Sequence, residues 1–175
     1  MQPGCILLKY APVTLDATPY RFGDLLALAR RGWILRMTSE LEARGFSDYR
    51  ASDAGAVRLL TVGPAPIGHL GAVLGVTRQA ARKVARGLEE RGYATTSPDP
   101  EDARKLNVTL TPVGRDYAEA IGEVVASLNR TLAARVRPGQ LTAADAVLRA
   151  AIDNDQINRI ARRIPPPQQP GTRPG

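Results

Sequence analysis

The chain has 175 residues, enough for one ordinary domain with a real core and too few for two full ones. Its 24 lysines and arginines exceed 17 aspartates and glutamates, giving a net charge of +7 and an isoelectric point near 10.2, a balance that points to a polyanionic partner. A single cysteine, Cys5, excludes an internal disulfide, and with a single histidine, His69, it supplies neither a metal-ligand cluster nor a Ser/His/Asp grouping, so no cofactor, metal or enzymatic activity is expected.

Residues 1–19 contain Pro3, Pro12 and Pro19 without periodicity, the pattern of an irregular arm. The apolar run CILL within it is too short for a signal peptide or a membrane span, so the expected setting is the cytoplasm, with no membrane partner. Cys5 has only Lys9 nearby in sequence to activate it as a redox switch. Residues 20–44 read as a helix, because Phe22, Leu25, Leu26, Ala29, Trp33, Met37 and Leu41 recur at helical spacing and Gly45 stops them. So wide an apolar surface suits burial on two sides, one of them against a second subunit. Near the end of this helix Trp33, Met37, Tyr49 and Arg50 combine apolar walls with one cation and form the candidate small-molecule site, although core packing is the plainer reading of Trp33. Ser52 then suits the cap of a short helix through Thr61 that turns Val57 and Leu60 inward. The segment VGPAP turns the chain, and Pro66 suits the first position of a helix with Ile67, Leu70, Gly71 and Leu74 on one face and His69 on the other.

The most informative stretch is residues 75–112. Gly75 ends the preceding helix and Thr77 caps the next, expected over residues 78–91, with Gly92 closing it and Tyr93 folding back on Leu88. Its inner stripe is Ala81, Val84, Ala85 and Leu88; its outer face is Arg78, Gln79, Arg82, Lys83 and Arg86. Those side chains donate to phosphates, guanine edges and adenine, as a major-groove helix requires, although a solvated surface helix has the same look when taken alone. Two helices joined through residues 75–78 make a helix-turn-helix. Residues 93–96 and 106–110 are short strands, the second with Leu106, Val108 and Leu110 inward and Asn107 and Thr109 outward, and they bracket the polar loop SPDPEDARK as the hairpin of a wing. Within that loop Asp102 is expected to pair with the Arg104 guanidinium and aim it at a minor groove, with Lys105 alongside. Thr111 and Pro112 open a helix to about residue 135 with Val113, Tyr117, Ile121, Val124, Leu128 and Leu132 on one side. Such a helix spans roughly 36 Å, more than one small domain requires. Pro138 and Gly139 break it, and Thr142 is expected to cap a last helix continuing the stripe through Leu148, Ala151, Ile152, Ile157, Ile160 and Ile164.

The run RGLEERGYATTSPDPEDARKLNVTLTPVGRDY resembles the recognition-helix end, wing and following helix of MarR-type winged-helix regulators. The wing signature of that family, an aspartate, then Asp-x-Arg, then a strand ending in Leu-Thr-x-x-Gly, is matched here by Asp99, Asp102, Arg104, Leu110, Thr111 and Gly114. The likeness extends more loosely from Phe22 to Ile164. It implies a mainly α protein: a winged helix-turn-helix of three core helices and a two-stranded wing over residues 51–111, with long N- and C-terminal helices over 20–50 and 112–164 forming a dimerisation region, between the arm over 1–19 and a proline-rich tail over 165–175. It further implies a transcriptional regulator, usually a repressor, acting as a homodimer on double-stranded DNA at a palindromic operator and released by a small aromatic or amphipathic effector. Thr77, Arg78, Gln79, Arg82, Lys83, Arg86, Asp102, Arg104 and Lys105 are then the expected DNA contacts. A winged-helix protein that binds DNA architecturally, without sequence preference, is the alternative.

Overall fold

The computed structural model describes residues 21–100, 102 and 104–152. The arm with Cys5, Tyr20, Glu101, Ala103, the last stripe residues Ile157, Ile160 and Ile164, and the tail lie outside the described residues. The elements are α1 (Arg21–Glu42), α2 (Asp53–Leu60), β1 (Ala65–Pro66), α3 (Ile67–Leu74), α4 (Arg78–Glu89), β2 (Ala94–Pro98), β3 (Leu106–Leu110), α5 (Pro112–Ala133) and α6 (Gln140–Ala151), a mainly helical chain with one small antiparallel sheet. The chain divides into two compact units, one ending at Arg36 and the other beginning at Met37. In the first, Phe22, Leu25, Leu26, Leu28 and Leu35 of α1 are exposed and Trp33 is half-buried. The second holds the winged helix, and its core contains Met37, Leu41, Val57, Leu70, Val73, Leu88, Val108, Tyr117 and Val124, each at most 2% exposed.

Helices α1 and α4 end by the same device. Gly45 and Gly92 take left-handed conformations (φ 89° and 76°), and the following residue donates back across the end, Phe46 to Leu41 and Tyr93 to Leu88, both at 2.9 Å. Tyr93 is therefore placed by the Schellman closure that Gly92 announces. Helix α4 stops at Glu89, two residues short of the expected end, because Glu90 and Arg91 already belong to this closing turn.

Two expected caps differ. The Ser52 hydroxyl caps nothing; the α2 start is held by Asp53, whose Oδ2 accepts the Arg50 backbone N–H at 3.0 Å. Helix α6 starts before Thr142, behind left-handed Gly139, with Gln140 Oε1 accepting the Arg137 N–H at 2.6 Å. The sheet also has a third strand, in the order β1, β3, β2. The two residues Ala65 and Pro66 of VGPAP pair with Val108 and Asn107 at an edge where the missing proline N–H costs no ladder bond.

The carboxylate of Asp53 is 1% exposed and accepts four hydrogen bonds: Arg91 Nη1 at 2.8 Å and Nη2 at 3.1 Å, the Tyr117 hydroxyl at 2.8 Å, and the Arg50 N–H. Arg91 also donates to the carbonyls of Gly87 (2.6 Å) and Asp48 (2.9 Å). Tyr93 stacks on Tyr117 with centroids 4.1 Å apart and donates its hydroxyl to Asp48 at 2.8 Å. One buried charge thus joins α2, the end of α4 and α5. Burial, with Asp48 as hydrogen-bond partner, pushes the Tyr93 hydroxyl up to about 12; burial beside Asp53 pushes Tyr117 further in the same direction.

The start of α5 is locked to the same place. Thr111 Oγ1 accepts the Gly114 N–H at 2.9 Å and donates to the Gly92 carbonyl at 2.6 Å, while the Thr111 N–H reaches the Tyr93 carbonyl at 3.1 Å. A Cβ on Gly114 would collide with that carbonyl. This is the physical content of the Leu-Thr-x-x-Gly pattern: a cap that also holds the turn, then the residue that lets backbone approach backbone. Along α5, Tyr117, Ile121, Val124 and Leu128 are buried, whereas Val113 and Leu132 at its two ends are exposed.

Asp53→Asn is expected to cost about 3–5 kcal/mol in urea unfolding, because it leaves the Arg91 guanidinium without its charge partner. Gly114→Ala should cost at least about 3 kcal/mol by forcing two backbones apart. Tyrosine is neutral when protonated, so folded-state values raised above the ordinary 10.0 mean that unfolding in alkali releases protons. The contribution is present below pH 10 and is lost as the pH rises through about 12 for Tyr93, at up to about 1.4 kcal/mol per pH unit for each ring. Melting temperatures should therefore fall steeply from pH 10 to 11.5, and Tyr93→Phe should flatten that fall.

Candidate nucleic-acid interface

The approach of α3 to α4 is set by small residues. Gly75 takes φ 68° and donates to Gly71; a methyl group on Gly71 would lie 3.2 Å from the Val76 carbonyl and 3.3 Å from the Ala81 Cβ. Thr77 Oγ1 accepts the Ala80 N–H at 3.2 Å and starts α4 as expected. Ala81, Ala85 and Leu88 are then buried and Val84 half-buried. The helical repeat turns Arg78, Gln79, Arg82, Lys83 and Arg86 outward, and all five are exposed. Among the described residues, none of the four cations in this set is engaged in an ion pair. This face opens on a concavity lined by Thr77, Gln79, Arg82, Lys83 and Arg86, by Thr96 and Leu106 of the sheet, and by Arg50.

Beside α4 stands the wing. Strands β2 and β3 pair antiparallel from Ala94 opposite Leu110 to Pro98 opposite Leu106. Glu89 Oε1 accepts the Thr96 N–H at 3.0 Å, tying the last turn of α4 to β2. The sequence carried no signal for this tie, since Glu89 reads as an ordinary solvated helix end. At the tip, the Asp99 N–H donates to the Lys105 carbonyl at 2.9 Å, and the Asp99 carboxylate accepts the Asp102 N–H at 3.2 Å and Asn107 Nδ2 at 2.8 Å. The expected Asp102 to Arg104 side-chain pair is not formed. Asp102 Oδ1 accepts the Arg104 backbone N–H at 3.1 Å, and its Oδ2 meets Lys105 Nζ at 3.4 Å. A short aspartate two residues before a turn N–H reaches that donor more easily than the far end of a long side chain. The exposed guanidinium of Arg104 is left without an ion-pair partner among the described residues. Asp99 and Asp102 therefore shape the loop, and Arg104 and Lys105 are exposed.

The residues of the other expected set differ in exposure. Met37 is fully buried, Tyr49 half-buried, and Trp33 lies in the unit that ends at Arg36. Arg50 is exposed and lies against α4, where a methyl group on Gly87 would be 2.6 Å from its Nη1. His69 is exposed. The described residues contain no group of three His, Cys, Asp or Glu side chains able to hold a metal, and no described helix is long and apolar enough to cross a membrane.

The sequence model of the MarR family matches residues 50–105. No curated protein matches the chain by sequence. Among solved structures, the PcaV transcriptional regulator of Streptomyces coelicolor with its natural ligand aligns with a TM-score of 0.65 at 21% identity, covering 82% of this chain and 98% of that one. BpsR of Bordetella bronchiseptica, whose DNA binding is regulated by 6-hydroxynicotinic acid, aligns with a TM-score of 0.65 at 23% identity, covering 83% of this chain and all of that one. A mutant MarR of E. coli complexed with operator DNA gives 0.65 at 19% identity, covering 75% of this chain and 93% of that one. Residues 50–105 thus match the MarR-family model, and the chain shares the winged-helix fold of solved MarR-type transcriptional regulators.

Proposed function

We propose that the protein is a sequence-specific double-stranded DNA-binding transcriptional regulator, a repressor that acts as a homodimer on a palindromic operator in the cytoplasm and not an enzyme. The observation that carries this reading is the exposed donor face of α4 beside a wing whose described acids, Asp99 and Asp102, are bonded within the wing itself. In the proposed docking, α4 enters the major groove with Thr77, Arg78, Gln79 and Arg82 leading; Gln79 and Arg82 read base edges, and Lys83 holds phosphate. Arg86 contributes from the same face, and Arg104 and Lys105 extend the contact into the adjacent minor groove. Asp102 positions Arg104 through the backbone.

The apolar side chains of Leu141, Val147 and Leu148 on α6, a helix with no buried residue, support association with a second copy. Two-fold pairing would then present two α4 helices to half-sites about one helical turn apart, roughly 10 base pairs. An effector role, with a small aromatic or amphipathic compound as ligand, follows the ligand-bound and ligand-regulated neighbours.

Purified protein incubated with fragments of the source genome should enrich a small set of sites sharing one inverted repeat; uniform recovery across the genome would favour the architectural alternative. Light scattering should give about twice the 18.8 kDa of one chain, and a monomer at micromolar concentration would remove the palindrome. Titrations on operator and random duplex separate the roles. Gln79→Ala or Arg82→Ala should lose about 1–3 kcal/mol on the operator alone, and Lys83→Ala should weaken both duplexes alike. Arg104→Ala should cut operator affinity at least about tenfold with an unchanged melting temperature, since an exposed side chain of this kind adds under about 1 kcal/mol to folding. Unchanged affinity would remove the wing from the interface.

A further inference from the structure

We propose that Arg50 is an additional DNA-backbone contact, seated on the flank of α4 away from the wing by the absence of a side chain at Gly87. The inference rests on the DNA-binding reading above and deepens it. The backbone of Arg50 is fixed from below, because its N–H donates to the buried Asp53 carboxylate at 3.0 Å. Its guanidinium lies over α4: a Cβ on Gly87 would come within 2.6 Å of Nη1 and 3.7 Å of Cζ, and would meet nothing else within 4 Å. Glycine costs a helix interior stability relative to alanine. What it makes room for here is this one cation.

The helical repeat places the two sides. Residues two apart on a helix project about 200° apart, so Glu89, bonded to Thr96 of the wing, and Gly87, under Arg50, mark opposite edges of α4. Arg82, Arg86, Gln79 and Lys83 occupy the exposed arc between them, and Arg50 lines the same concavity as these four. A helix lying in a major groove about 12 Å wide has a phosphate strand on each side. The wing approaches one strand, and Arg50 is poised for the other. Of the nearby acids, Asp53 and Asp48 are engaged by Arg91, Tyr117 and Tyr93 and Glu90 lines the same concavity, but among the described residues Arg50 forms no ion pair.

The test uses full-length protein on operator and random duplex across a salt series. Arg50→Ala keeps the Asp53 bond, which is made by the backbone, so the melting temperature should hold. Affinity should fall about tenfold on both duplexes, and the slope of log affinity against log salt should flatten by about one per bound chain. Gly87→Ala keeps the cation but displaces it. It should raise the melting temperature by roughly 2–5 °C through helix propensity while weakening binding severalfold, and it should add no binding loss when Arg50→Ala is already present. If Arg50→Ala retains the parent affinity and salt slope while Lys83→Ala flattens that slope, the inference is overturned and the DNA-binding reading stands. If the parent itself binds no duplex, both fall.

Discussion

The carboxylate of Asp53, cut off from water, is the constraint to which the winged helix is built. A buried charge of this kind is tolerable only when its lone pairs are all engaged, and here the donors come from separate parts of the chain: the turn before α2, the residue beyond α4, and the second turn of α5. Satisfying Asp53 therefore fixes three elements at once. Arg91 carries the constraint onward by holding the Gly87 carbonyl, so the last turn of α4 is referenced to the same point as α5. The stacked rings of Tyr93 and Tyr117, with Phe46 against both, fill the space around the charge and keep it dry.

The same economy of polar groups governs the surface. On the DNA-binding reading proposed above, a basic protein approaching a polyanion has to place its acids where they do not oppose the approach. In the wing, Asp99 and Asp102 spend their oxygens on backbone and amide N–H groups of their own loop and on Lys105; at the α4 end, Glu89 holds a strand. These acids act as internal braces, while Arg78, Arg82, Lys83, Arg86 and Arg104 stay exposed and, among the described residues, outside any ion pair.

What the sequence discloses and conceals follows from the range of the interactions involved. Caps and closures made within a few residues were legible: Thr77, Thr111, and the pair Gly92 and Tyr93 all behave as their local pattern requires. So was the outward face of α4, since helical spacing alone assigns it. The third strand was not, because two residues beside a proline carry no alternation to detect and exist as a strand only through β3. Nor was the Asp53 network, whose partners lie 38 and 64 residues away in sequence. Ser52 drew attention as a cap because of its residue type, while the neighbouring aspartate did the work. Arg50 was grouped with Trp33, Met37 and Tyr49 as the one cation among apolar walls, and its place against a helix nearly forty residues on had no local signal.

The small sheet has a mechanical consequence. Strand β3 is its middle member, joined to β2 by five residue pairs and to β1 by only two, one of which contains a proline without a donor. A tug on the wing tip is thus shared firmly within the hairpin but reaches the beginning of α3 through a much thinner seam. The hairpin's other mooring is the Glu89 carboxylate on the Thr96 N–H, so a load on the blade is carried into the end of α4 more firmly than into the start of α3.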